Sequence, residues 1–199
     1  MALIDRESTV LVVIDTQPGF IATEATDTTV AAAAAAAVEQ LVWLVTIARL
    51  LDIPALVTEE APDREGATDS RVLNALAPGT PVFAKETFGL AGTPEIVDAI
   101  RATQRTTAVL MGFETDVCVS QSAIGLQDLG FRVAAVSDAS YTQDNAQHEA
   151  GLRRMAQLGI EIVHAKGVAF EWMRTVDVAI ETTATARRES PPALRSRQP

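Results

Sequence analysis

Residues 107–122 read TAVLMGFETDVCVSQS, and this stretch decides the fold. The apolar run Ala108, Val109, Leu110, Met111 predicts a strand covered on both faces, which Gly112 ends. Residues 113–117 make a short connection, and Cys118 opens the next helix, with Asp116 suited to cap it. Cys118 is the only cysteine in 199 residues. A thiol at a helix N-terminus faces unpaired backbone N–H groups and the positive end of the helix dipole, which favours its thiolate. A lone cysteine can also serve as a small core hydrophobe. Its place after a strand, at the edge where α/β sheets gather ligands, points toward chemistry.

Working outward, the same strand–helix alternation recurs. Upstream, residues 9–14 (TVLVVI) predict a first buried strand that ends at Asp15, followed by Thr16, Gln17, Pro18, Gly19 and Phe20. Residues 27–51 predict a long helix capped by Asp27 or Thr28, with an alanine run at 31–37 and a broad apolar face. A second strand over 53–58 runs into Glu59 and Glu60, a pair that suits a pocket at the strand end but better suits a solvated loop. A short helix over 71–76 precedes a third strand over 81–84, which delivers Lys85, and Pro94 starts a helix that reaches Thr103. Downstream of the Cys118 helix, strands are expected over 131–136 and 160–163 and helices over 145–158 and 170–178. Beyond about Thr182 the chain turns polar and proline-containing, so residues 1–182 are expected to form one domain and 183–199 a tail or an arm on another subunit. The alternation predicts a three-layer α/β/α domain with a mainly parallel six-stranded sheet. Right-handed crossovers then bring the strand ends to one edge.

Composition narrows the classes of function. A formal net charge of −10 argues against a nucleic-acid partner, because phosphate neutralisation needs basic clusters. One cysteine cannot make an internal disulfide, and the N-terminal MALIDREST carries charges where a signal peptide has its apolar core. No apolar run approaches about 20 residues, so no membrane partner is expected and a cytoplasmic location is. Of sixteen cationic residues only Lys85 and Lys166 are lysines. An ammonium is a compact point charge that can lose its proton, and a guanidinium is not.

Three chemical groups thus stand at the ends of strands one, three and four: Asp15, Lys85 and Cys118. Together they suit nucleophilic acyl transfer, with Cys118 attacking and Asp15 accepting its proton and returning it to the leaving group. Lys85 would hold the charges in place, and backbone N–H groups at the helix start would bind the developing oxyanion. The segments VVIDTQPGF, AKETFG and GFETDVCVSQSA, in this order, resemble the signature segments of the isochorismatase-like cysteine hydrolases. The similarity runs over roughly residues 9–174. It implies an isochorismatase-like domain of Rossmann-like topology and an Asp15–Lys85–Cys118 catalytic triad. It also implies a non-proline cis peptide at Phe113–Glu114, and an oxyanion hole made by the backbone N–H groups of Glu114 and Cys118. A homo-oligomer is implied as well.

The same resemblance brings a contrast. Nicotinamidases of this family carry an Asp-x-His…His metal site, whereas residues 59–65 here read EEAPDRE, without histidine. His148 and His164 lie far along the chain, His148 expected on a helix surface and His164 at a strand end. No metal or other cofactor is expected. The first βα turn, DTQPGF, lacks the GxGxxG loop of a dinucleotide site. Gln17, Phe20, Phe88, Phe113, Tyr141 and Thr142 fall near strand ends and could line a pocket for a small-molecule substrate. The resulting expectation is a hydrolase of a small amide, ureide or related C–N bond acting through a thioester. The alternatives are isochorismatase-type vinyl-ether hydrolysis and a non-catalytic interaction protein.

Overall fold

The computed structural model describes residues 2–21 and 28–189. After a 3₁₀ turn at Arg6–Ser8, the elements are β1 (Thr9–Ile14), α1 (Thr28–Leu50), β2 (Ala55–Glu60), α2 (Pro62–Glu65), α3 (Ser70–Ala75) and β3 (Val82–Lys85). There follow α4 (Pro94–Ala102), β4 (Thr107–Phe113), a π-helical turn at Thr115–Val119, α5 (Ser120–Asp128) and β5 (Arg132–Tyr141). The chain closes with α6 (Asn145–Gln157), β6 (Glu161–Val163), α7 (Ala165–Met173) and α8 (Val176–Glu189). The six strands form one sheet in the order β3-β2-β1-β4-β5-β6, every pairing parallel.

The uniformly apolar strands β1 and β4 are the central pair, and every residue of both is buried. Their alternate side chains serve two separate cores. Leu11, Val13, Val109 and Met111 join Leu41 and Leu44 of α1 and Val168 and Trp172 of α7. Val10, Val12, Ala108 and Leu110 join Ile96 and Ile100 of α4, Leu126 of α5 and Met155 of α6. Helices on both faces explain why these strands carry no polar alternation. Strand order reverses between β1 and β4, where open α/β sheets leave a crevice at the carboxyl ends of their strands.

Several boundaries differ from the sequence expectation. β5 runs on through Tyr141 because its ladder with β4 is irregular: Leu110 pairs with Ala135, but Gly112 pairs with Ser140. The polar Ser137 and Asp138, which suggest a strand end, sit in that bulge. Ser137 Oγ donates to Val163 O, and Asp138 Oδ1 accepts from Ala165 N at the start of α7. The expected single final helix is two, α7 and α8, broken at Arg174 with φ +62°. α8 runs past the expected boundary at 182, with Thr182 and Ala186 buried; only residues 190–199 of the expected tail lie outside the described ones. The suggested cap Asp27 also lies outside the described residues.

α1 is long and apolar enough to cross a membrane by length and composition, contrary to the expectation that no run approaches that length. The alanine run raises its hydropathy. Its residues from Ala34 to Ala48 pack largely into the core beside the sheet, which accounts for the same composition without a bilayer.

Candidate active site

Asp15 terminates β1 in the left-handed backbone region, with φ +48°, which Asp tolerates better than most residues. Its side chain is fully buried. Oδ1 accepts a hydrogen bond from Thr58 Oγ1 at 2.8 Å, and Oδ2 lies 2.7 Å from Lys85 Nζ. Lys85 arrives at the end of β3, in register with Glu60 at the end of β2. Its buried ammonium also donates to Thr87 O at 2.9 Å and to Glu60 Oε2 at 3.4 Å. Cys118, almost fully buried, donates its thiol proton to Glu60 Oε2 at 3.0 Å. The structure therefore brings Asp15, Lys85 and Cys118 together at the switch point and adds Glu60 to them.

For Glu60 the less favoured of the two sequence readings holds: it faces the site, not a solvated loop. Its signal was its place at the end of a strand that neighbours β1. Gln17, expected as a pocket residue, instead pins that strand end: Oε1 accepts from Glu60 N at 2.7 Å, and Nε2 donates to Glu60 O and Gly66 O. Gln17 is fully buried and fastens main chain. Glu59 is held separately, accepting from the backbone N and the hydroxyl of Thr68.

Cys118 does not open α5 as expected. It lies inside the π-helical turn, and Asp116 makes no cap there. The Phe113–Glu114 peptide is cis. The Glu114 carbonyl accepts from Val117 N and Val119 N. Gly112 allows β4 to approach β1 closely: a Cβ there would lie 1.9 Å from Ile14 O.

Burial, the Asp15 charge and the Glu60 hydrogen bond push the Cys118 thiol up, against the pull of Lys85. This reverses the expectation of a helix-stabilised thiolate. A dipole favours an anion only where desolvation and neighbouring carboxylates do not outweigh it. Burial likewise raises Asp15, although Lys85 and hydrogen bonds with Thr58 and Cys118 oppose the shift. Glu114 is raised by burial and by the charges of Asp116 and Glu60, while a hydrogen bond with Thr142 opposes the rise.

The remaining candidates separate. Thr142 and Tyr141 are buried, and the Tyr141 ring stands 5.4 Å from that of His148. His148 is not on a helix surface: it is buried, with Nδ1 2.8 Å from Thr115 Oγ1, and so supports the π turn from behind. His164 does follow a strand end, where its Nδ1 lies 3.0 Å from Asp138 Oδ2. Phe113 is wholly enclosed, Phe20 packs against the core and Phe88 is exposed. Donor atoms of Asp15, Glu60 and Cys118 lie within 4.8 Å of one another, which a metal could exploit. The Lys85 ammonium already rests on the two carboxylates, so the donor set carries its own cation and does not fit a metal ion.

The architecture defines the class: a parallel α/β domain with a buried thiol, two carboxylates and an ammonium at its switch point. Residues 9–166 match the isochorismatase domain, and the chain belongs to the isochorismatase family. It is 33% identical over 132 residues to the secreted isochorismatase effector Isc1 of Phytophthora sojae, covering 64% of this chain and 62% of the relative. Against isochorismatase domain-containing protein 2 of Bos taurus it is 30% identical, over 64% of this chain and 61% of the relative. The match thus spans about three fifths of each of these relatives. Among solved structures, the YcaC protein of Escherichia coli, an octameric hydrolase of unknown specificity, superposes with TM-score 0.83 at 23% identity, covering 98% of this chain and 94% of YcaC. The MAR1 ribonuclease of Caenorhabditis elegans gives TM-score 0.81 at 24% identity, covering 100% and 98%. The fold is that of the isochorismatase-like hydrolases.

Proposed function

We propose that the protein is a cofactor-free cysteine hydrolase that cleaves a C–N bond in a small amide or ureide. The observation that carries this is the thiol of Cys118 set beside the Asp15–Lys85 pair, three groups from three strand ends at one edge of the sheet. In this mechanism Cys118 Sγ attacks the carbonyl carbon, the nitrogen departs with a proton, and water hydrolyses the thioester. The backbone N–H groups of Glu114 and Cys118 bind the oxyanion, and loss of one such donor typically raises the barrier by about 2.7–4 kcal/mol.

Vinyl-ether hydrolysis of a dicarboxylate of the isochorismate type is the second reading. The charges disfavour it: Asp15 and Glu60 flank Lys85, Glu114 interacts with Glu60, and a dianion would meet them with one compensating ammonium. An RNA substrate, suggested by the name of the MAR1 neighbour, is disfavoured by the same carboxylates and by the net charge of −10. The test is ammonia release from a panel of small amides and ureides, with Cys118→Ala as the control. Turnover of isochorismate with an inert panel would reverse the ranking.

Self-association belongs to the same proposal. YcaC of Escherichia coli is octameric, and here Val176 and Ile180 on α8 remain 73% and 63% exposed beside the half-exposed Phe170. A second copy of the chain is the occupant we assign to that apolar face.

A further inference from the structure

We propose that the substrate carries a positive charge close to its scissile carbonyl, as an ammonium or guanidinium on the amide or ureide, and that Glu60 and Glu114 select it. The inference rests on the cysteine-hydrolase proposal and names the kind of substrate that site takes. The thiol fixes where the reaction occurs, and the two glutamates fix what is admitted. Asp15, itself hydrogen-bonded to Cys118, keeps its place in the triad.

Asp15, Glu60 and Glu114 share this edge of the sheet with the ammonium of Lys85. Lys85 Nζ is paired with Asp15 at 2.7 Å, and neither side chain has exposed surface, so that pair is closed to an incoming molecule. Glu60 lies farther from Nζ, at 3.4 Å, and keeps 15% of its side-chain surface exposed. Its Oε2 stands 3.0 Å from Cys118 Sγ, which puts the exposed charge beside the attacking atom. Glu114 is half-buried on the other side of the crevice. β2 and β4 flank β1 in the sheet; Glu60 ends β2 and Glu114 follows β4.

Burial raises the Glu114 carboxyl, and the charges of Asp116 and Glu60 raise it further, so the two glutamates repel each other. A cation held between them offsets both the repulsion and the desolvation, and an anion adds to them. The same cation acts on Cys118. Burial, the Asp15 charge and the Glu60 hydrogen bond hold the thiol neutral. A substrate charge paired with Glu60 weakens that hold as the carbonyl arrives over Sγ. The net charge of −10 favours the same sign of ligand at long range.

The test is a labelling profile of Cys118, the sole cysteine, with three methanethiosulfonates: the cationic 2-aminoethyl, the neutral methyl and the anionic 2-sulfonatoethyl reagents. Each rate is divided by the rate on 2-mercaptoethanol, which removes the reagent's own reactivity. The ratio of cation to anion also cancels the thiolate fraction, so it reads the charge around the thiol and not its ionisation. At about pH 7, above the usual carboxylate range, the wild-type ratio should be about tenfold or more. Glu60→Gln and Glu114→Gln should each lower it severalfold, and the double variant should lose most of it. Asp128→Asn, at the far end of α5, removes one charge from the chain and should leave the ratio unchanged.

A ratio of one or below overturns the proposal. So does a high ratio that survives in both Gln variants, which assigns the effect to the net charge. Exclusion of both charged reagents while the methyl reagent reacts overturns it too, because a pocket built for a charged arm admits the cation. A fall in only one variant strikes the other glutamate from the pair. Gln17 grips the backbone of Glu60 and not its carboxylate, so the isosteric Gln leaves the strand end fastened; circular dichroism of each variant verifies this. In the amide panel, glycinamide should outpace malonamate, an amide of like size and opposite charge, and Glu60→Gln should narrow that gap through KM. The reverse order overturns the proposal. An inert panel would count against the hydrolase proposal, whereas the labelling ratio is read without turnover.

Discussion

Lys85 Nζ lies 2.7 Å from Asp15 Oδ2, and neither side chain has any exposed surface. Removing one partner of a buried ion pair strands the other charge and typically costs about 3–5 kcal/mol. Lys85→Met should therefore lower the unfolding free energy, read from urea denaturation, by an amount in that range. The double variant Asp15→Asn, Lys85→Met should recover only part of the loss, because Glu60, the other carboxylate beside the ammonium, is still left unpaired. Both proteins should be inactive, so the cycle separates the structural part of the pair from its chemical one.

Gly112 and Ile14 define a second strict contact, since the atom that a Cβ would strike is backbone and cannot rotate away. Gly112 also has φ +132°, which L side chains rarely adopt. Gly112→Ala combines backbone strain with overpacking, each worth about 1–3 kcal/mol. Chemical denaturation should show a loss of roughly 2–6 kcal/mol by those same terms. The β1–β4 crevice should open with it, and Cys118 should alkylate faster in the folded variant than in wild type.

His148 predicts a pH dependence of stability. Burial holds its pKa below the ordinary 6.5, so the unfolded chain binds a proton more readily than the folded one. Its contribution to stability is complete above pH 6.5 and is lost as pH falls from there through the folded value. Thermal unfolding between pH 7.5 and 5.5 should show this loss, and His148→Gln should flatten that part of the curve. An unchanged slope in the variant would remove His148 as its source.

The residues that were legible in the sequence share one property: their neighbours in the chain announce their place. TVLVVI followed by Asp15, and the short third strand followed by Lys85, place each group at a strand end by local pattern alone. The order of strands brings those ends together. Glu60 was not legible, because a glutamate pair after a strand is written the same way whether it faces solvent or a thiol. His148 failed for a related reason: its helix is amphipathic, but the face that matters packs on the π turn. Gly151 in that helix approaches so closely that an added Cβ would meet Asp116 Cα at 2.8 Å. The thiol's ionisation was misjudged because the helix dipole is visible in sequence, whereas burial and the Glu60 carboxylate arise only from the fold. α8 was cut short because its alternation of Thr, Ala and Arg has low hydrophobicity, although Ala179, Thr182 and Ala186 fall on one buried face.

Val176 and Ile180 offer the last test, because they are four residues apart on α8 and project from the same side into solvent. Single exposed apolar residues are ordinary, but two together beside Phe170 border a cavity of about 270 Å³ that also includes Arg174 and Thr183. Converting both to aspartate removes no core contact, so thermal unfolding of the dissociated chain should still be cooperative. If a second copy covers this face, light scattering after size exclusion should show the double variant at a smaller mass than wild type, since two buried like charges would meet across the contact. An identical mass would take α8 out of the interface and leave self-association to another surface. Amide hydrolysis in the dissociated variant then decides whether a neighbouring subunit completes the pocket: retained activity places the whole site within one chain, and lost activity with an intact Cys118 labelling profile assigns part of it to the partner.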